Sequence, residues 1–106
     1  MPKFMVKASY TSDGVRGLMK EGGSARIAGL QKLIESLGGK LEGFYFAYGD
    51  TDVYVITDLP EAATGIAVSL AVNASGAVRL TTIPLITAAE MDAACKQAVP
   101  YRAPGA

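Results

Sequence analysis

The chain has 106 residues, half of them apolar, and its ten basic side chains balance ten acidic ones. This length supports one domain with one core and leaves no room for a separate regulatory module, while zero net charge provides no field for nucleic acid or an anionic membrane. Histidine is absent, which removes the commonest general base and metal ligand, and the single cysteine, Cys95, has no internal disulfide partner, a composition that favours a cytoplasmic protein.

In chain order, Lys3 to Tyr10 alternates Phe4, Val6, Ala8 and Tyr10 with Lys3, Met5, Lys7 and Ser9, the period-two pattern of a strand. Thr11 or Ser12 then caps a short helical turn that Gly22-Gly23 breaks. Ser24 is expected to cap a longer helix with an apolar stripe of Ile27, Leu30, Ile34 and Leu37, ended by Gly38-Gly39. Lys40 to Tyr48 and Val53 to Thr57 read as two strands of a hairpin joined by Gly49-Asp50-Thr51-Asp52.

Asp58 with Pro60 opens an alanine-rich second helix, read as buried, that Asn73-Ala74-Ser75-Gly76 closes. Val78 to Ile86 is a fourth strand, and Pro84, having no amide hydrogen to give, suits an edge position. Thr87 and Glu90 form a capping box for a last helix, expected to turn Met91, Cys95 and Ala98 inward. Residues 1–99 thus make a single domain, and 100–106, with Pro100, Pro104 and Gly105, a loose tail.

The order βαββαβ plus a C-terminal helix is the ferredoxin-like, α+β pattern, and right-handed crossovers give an antiparallel sheet of order 4-1-3-2 with both main helices on one face. The other face is expected to gather Met5, Lys7, Ser9, Phe44, Phe46, Tyr48, Tyr54, Ile56, Arg79, Thr81 and Ile83, with Glu42 near an edge. Such an apolar face suits a symmetric homodimer. Lys7 and Arg79 within it, with Ser9, Thr81, Tyr48 and Tyr54 as hydrogen-bonding neighbours, form a candidate polar spot for a small acid, phenol or carbonyl compound. The alternative is that both cations reach Glu42 or solvent and only fix the register of the dimer.

No metal or phosphate motif is present, and neither a metal nor a tightly held cofactor is expected. Arg26, in the first turn of the helix after Gly22-Gly23, reaches back to Asp13 or Glu21 or is solvated, unless it points at the mouth of a pocket. The chain resembles the GYD domain family in Tyr10-Thr11, GGSAR at Gly22 to Arg26, GGKLEGFYFAYGDTDVYVITDLP at Gly38 to Pro60, and NASGAVRLTT at Asn73 to Thr82. The resemblance implies a dimeric α/β barrel, akin in fold to cofactor-free monooxygenases of antibiotic biosynthesis, in a family without a defined biochemical role.

The family pattern has a tyrosine where this chain has Thr51, so a phenol acting from that position is excluded and Asp52 is the residue left to consider. Asp50 reads as a turn residue, and Asp52 either caps the hairpin's own amides or reaches a cation. Three functions remain open. They are a small-molecule-binding homodimer, a cofactor-independent oxygenase or isomerase with Lys7, Asp52 or a tyrosine as base, and a structural interaction module.

Overall fold

Strand β1 (Lys3–Tyr10) runs through the middle of the sheet and leads into α1 (Ser12–Glu21) and α2 (Gly23–Ser36). The hairpin β2 (Lys40–Phe46) and β3 (Val53–Asp58) follows, then α3 (Ala62–Ala74), β4 (Val78–Leu85) and α4 (Ala88–Cys95). These elements are taken from a computed structural model describing residues 1–106. The sheet is antiparallel throughout with order β2-β3-β1-β4, which is the expected 4-1-3-2 read from the other edge, and Pro84 lies on an edge strand. The fold is ferredoxin-like α+β.

Register fixes the two faces. Val6 sits opposite Val55 and Thr82, and Ala8 opposite Val53 and Leu80, so these side chains share the helix-covered face. Two clusters form the core. Ala8, Val53, Val55 and Val78 make one, and Phe4, Ile34 and Leu59 make the other, with Leu30 of α2 touching both. Lys7 lies opposite Tyr54 and Thr81 on the uncovered face, as the alternation of β1 requires.

Strand β2 departs from the expected parity. Leu41 pairs with Thr57 and Gly43 with Ile56, leaving Glu42 as an extra residue in a bulge. The bulge resets the alternation, so Phe44 and Phe46 stand with Val55 and Val53 on the helix side instead of the uncovered face. A methyl group on Gly23 of α2 would meet the Phe46 ring at 3.0 Å, consistent with that placement. Tyr48 lies beyond the end of β2, and Tyr45 takes the place opposite Tyr54.

The helix ends differ in detail from those expected. Thr11 caps α1, accepting from the Gly14 amide, and α1 runs ten residues. Ser24 is not a cap: α2 begins at Gly23 directly after Gly22, whose φ of 84° turns the chain between the two helices without a capping side chain. Helix α3 starts at Ala62, not at Pro60, because Leu59 stays buried and donates its amide to the Pro2 carbonyl, prolonging the extended chain. The α3 helix is also not fully buried. It lies on the sheet by one side and exposes Ile66 and Leu70 on the other.

The expected capping box of α4 is present, with Thr87 and Glu90 bonded reciprocally. Its inward stripe is not. Met91 is 51% exposed, Cys95 is exposed, and no residue of α4 is buried. Only one face of the sheet carries helices, and α2 with α3 already fills it, so α4 extends away as an arm. The radius of gyration is 16.8 Å, against roughly 13 Å for a compact chain of this length.

Candidate functional site

On the uncovered face, Lys7, Ser9, Arg79 and Thr81 come together as expected, lining a shallow depression with Thr51 and Ile83. Tyr54 is next to it, directly across from Lys7 on β3. Neither Lys7 nor Arg79 makes an ion pair. The carboxylates of this face, Glu42 and Asp58, both bind Lys3 at the opposite end of β1. The reading in which Lys7 and Arg79 reach Glu42 is therefore not what the fold provides.

The Lys3 cluster ties three strands together. Lys3 Nζ lies 3.0 Å from Asp58 Oδ1 on β3 and also bonds Glu42 in the β2 bulge. The Lys3 ammonium is the main cause holding the Asp58 carboxyl below its ordinary range, and hydrogen bonds to Glu42 and then Asp58 push the Lys3 ammonium upward. A lowered carboxyl stabilises the fold above its unfolded pKa and loses that contribution as pH falls through the folded value. A raised ammonium contributes below its unfolded pKa and loses the contribution only as pH rises above the usual lysine range. Urea unfolding of the wild type and Lys3→Met is expected to show a small, constant stability gap from pH 5 to 9, roughly the window between the two ordinary ranges, that closes below about pH 4. A gap unchanged at pH 3 would show that the cluster contributes nothing electrostatic.

Tyr48 and Asp52 do not join Lys7 and Arg79. They line a separate groove beside α1, together with Tyr10, Val15 and Phe46, and the Tyr48 side chain is fully exposed. Asp52 has a structural partner other than the hairpin amides or a cation: its Oδ2 accepts from the backbone amide of Tyr10 at 2.9 Å. The Asp52 amide donates to the Ala8 carbonyl at 2.9 Å, and its own carbonyl accepts from Ala47. Ser9 Oγ donates to the Asp50 carbonyl at 3.1 Å. The hairpin tip is thus laced to the end of β1 through backbone groups, and Asp52 extends the β1–β3 pairing by one side-chain bond.

A cavity lies on the other side of the sheet, between it and helices α2 and α3. It has a volume of about 50 Å³ and is lined by 19 residues, 14 of them hydrophobic. Thr57 is among the lining residues, is only 2% exposed, and has no hydrogen-bond partner for Oγ1, which is itself buried. Ser69 and Thr82, also on the wall, bond each other instead. Arg26 lines both this cavity and an outer cleft of about 400 Å³ that contains Asp13 and Glu21. Asp13 pairs with Arg16, and Arg26 makes no ion pair, so the reach-back arrangement is absent.

The sequence signal for the Thr57 position is the parity of β3, since Thr57 follows Val53 and Val55 at spacing two on the inward face. No three acidic or sulfur side chains converge anywhere as a metal ligand set, and no helix is long and apolar enough to cross a membrane.

No curated protein and no solved structure matches the chain. The profile of the GYD domain family matches residues 4–95, which include all four strands but for one residue of β1 and all four helices, and the chain belongs to that family.

Proposed function

We propose that two copies of this chain pair through their uncovered sheet faces, as a dimeric α/β barrel in the cytosol, and hold a small organic anion at Lys7 and Arg79 in the seam. The observation that carries the reading is the pair of cations that no carboxylate pairs, since Glu42 and Asp58 both bind Lys3, on a face that also carries Met5, Tyr54, Ile56 and Ile83. A two-fold axis through that face doubles the positive charge in the interface. Removing such charges from water costs several kcal/mol per ion in order of magnitude unless an anion compensates them, and an organic carboxylate fits both the charge and the apolar surroundings.

The economy of the single chain supports the pairing. Only ten of its 106 residues are buried, and α4 and the segment after it leave Met91, Val99 and Tyr101 exposed where a second copy would cover them. The reading of the chain as a cofactor-independent enzyme has less support, since Asp52 is engaged with the Tyr10 amide and lies outside the Lys7 depression.

Analytical ultracentrifugation at micromolar concentration is expected to show a dimer, tightened by added benzoate. In Lys7→Met the benzoate effect is expected to fall about tenfold, in line with the loss of one charge-assisted hydrogen bond. A monomeric wild type would overturn the pairing, and a benzoate effect that survives in Lys7→Met would overturn the anion site.

A further inference from the structure

The groove beside α1 that holds Tyr48 and Asp52 shares no residue with the Lys7 depression. We infer that it is a binding site for a small primary ammonium ion with an aromatic body. The ammonium meets Asp52 Oδ1, and the body lies against Tyr48, Phe46 and Val15.

Two elements build the groove. Helix α1 supplies Val15 and Leu18, three residues apart and so on one side of the helix, while the end of β2 and the hairpin loop supply Phe46, Ala47, Tyr48 and Asp52. The hairpin residues are close in space as well as in the groove: the Ala47 amide donates to the Asp52 carbonyl at 2.8 Å, and Phe46 pairs with Val53. The volume is about 490 Å³, within the roughly 300–1,000 Å³ typical of small-molecule clefts. Six of the eight lining residues are hydrophobic, and Asp52 is the one charged group among them. Phe46 and Tyr48 are exposed, so part of each ring is open to a ligand.

The Asp52 carboxylate is held by one oxygen and open at the other. Oδ2 accepts from the Tyr10 amide at 2.9 Å, and the Asp52 backbone is bonded to Ala8 and Ala47, so the side chain is positioned before any ligand arrives. Oδ1 has no partner in the chain. It is within reach of solvent, because Thr57 Oγ1 is the only buried side-chain polar atom left unpaired. No cation neutralises the charge either: the ion pairs of the chain join Lys3 to Glu42 and Asp58, and Arg16 to Asp13. An asparagine oxygen would also accept from the Tyr10 amide, so fastening the strands uses the acceptor and leaves the negative charge over. A fixed carboxylate oxygen at an aromatic-lined groove without a cation selects an ammonium head on an apolar body.

The test titrates the full chain at neutral pH with 2-phenylethylammonium and with its neutral counterpart 2-phenylethanol, reading backbone amide shifts by ¹⁵N NMR. Saturable shifts are expected at Val15, Ala47 and Tyr48, with the ammonium binding about tenfold tighter than the alcohol. In Asp52→Asn that preference is expected to vanish while the alcohol binds as before, and an unchanged hydrogen-exchange rate at the Tyr10 amide shows that the fastening has survived. Tyr48→Ala removes a side chain that is fully exposed, so the fold is expected to be unaffected, and both probes are expected to bind about threefold to fivefold more weakly. Lys7→Met is expected to leave every titration unchanged, which separates this site from the seam. Absence of saturable shifts at the three groove residues with the ammonium would overturn the inference. So would an ammonium preference that persists in Asp52→Asn, or binding that is indifferent to Tyr48→Ala.

Discussion

Gly14→Ala is expected to destabilise the fold by about 3 kcal/mol, the upper end of what overpacking costs. Gly14 is buried in the first turn of α1, where a Cβ would fall 2.0 Å from the Ala77 carbonyl oxygen and 3.0 Å from the Tyr10 ring. The obstacle is backbone, which a rotamer change cannot relieve. That carbonyl is also fixed by its own bonds: Thr11 donates to Ala77 O from its amide at 3.1 Å and from Oγ1 at 3.2 Å, and Oγ1 also reaches the Gly76 carbonyl at 2.9 Å. Moving Ala77 would therefore loosen the cap of α1 and the start of β4 together. Urea unfolding measures the loss, with Gly17→Ala as the control in the same helix, because a Cβ there meets nothing within 4 Å. The exposed control is expected to be stabilising by a few tenths to about 1 kcal/mol, as helix propensity dictates. Equal effects at the two positions would show that the approach of α1 to Ala77 is not tight.

Asp52→Ala is expected to cost about 2 kcal/mol, since it removes the charged acceptor of the Tyr10 amide and leaves that amide without a partner in a half-buried position. Asp52→Asn keeps an acceptor oxygen and is expected to recover more than half of the loss, which a role depending on the charge itself would not allow. Hydrogen exchange localises the effect: the Tyr10 amide is expected to exchange faster in Asp52→Ala, with little change at Val6, which lies deep in the sheet. Asp50→Ala serves as the comparison. Its side chain is exposed, and it takes part in the lacing only through its carbonyl, so its stability is expected to stay within about 0.5 kcal/mol of the wild type. If Asp52→Ala is as stable as Asp50→Ala, the Tyr10 bond contributes nothing.

The two aspartates of the hairpin look alike in the sequence, where the turn chemistry of Gly49 and Asp50 is legible. The partner of Asp52 is not, because the Tyr10 amide is 42 residues away and comes within reach only when β1 and β3 pair. The replacement of the family tyrosine by Thr51 singles out Asp52, and the residue proves to be a fastening between strand ends. Lys7, Ser9, Arg79 and Thr81 can be grouped from the sequence because two strands of strict alternation place them on one face.

The period-two pattern of β1 and β3, the glycine pairs at helix ends and the proline of β4 determined the element order and, through crossover handedness, the sheet order. Those signals are local, and the geometric rules linking them to topology have few exceptions. The tertiary structure alone decided three things. The bulge at Glu42 turned Phe44 and Phe46 to the helix side, a shift of one residue that no pattern of apolar spacing reveals when Glu42 itself keeps a polar face. Helices α2 and α3 filled the covered side of the sheet and left α4 without a surface, although its capping box and apolar residues read as those of a packed helix. The packing of those two helices on the sheet left the buried Thr57 hydroxyl without a partner, because such a partner would have to come from a segment distant in the chain.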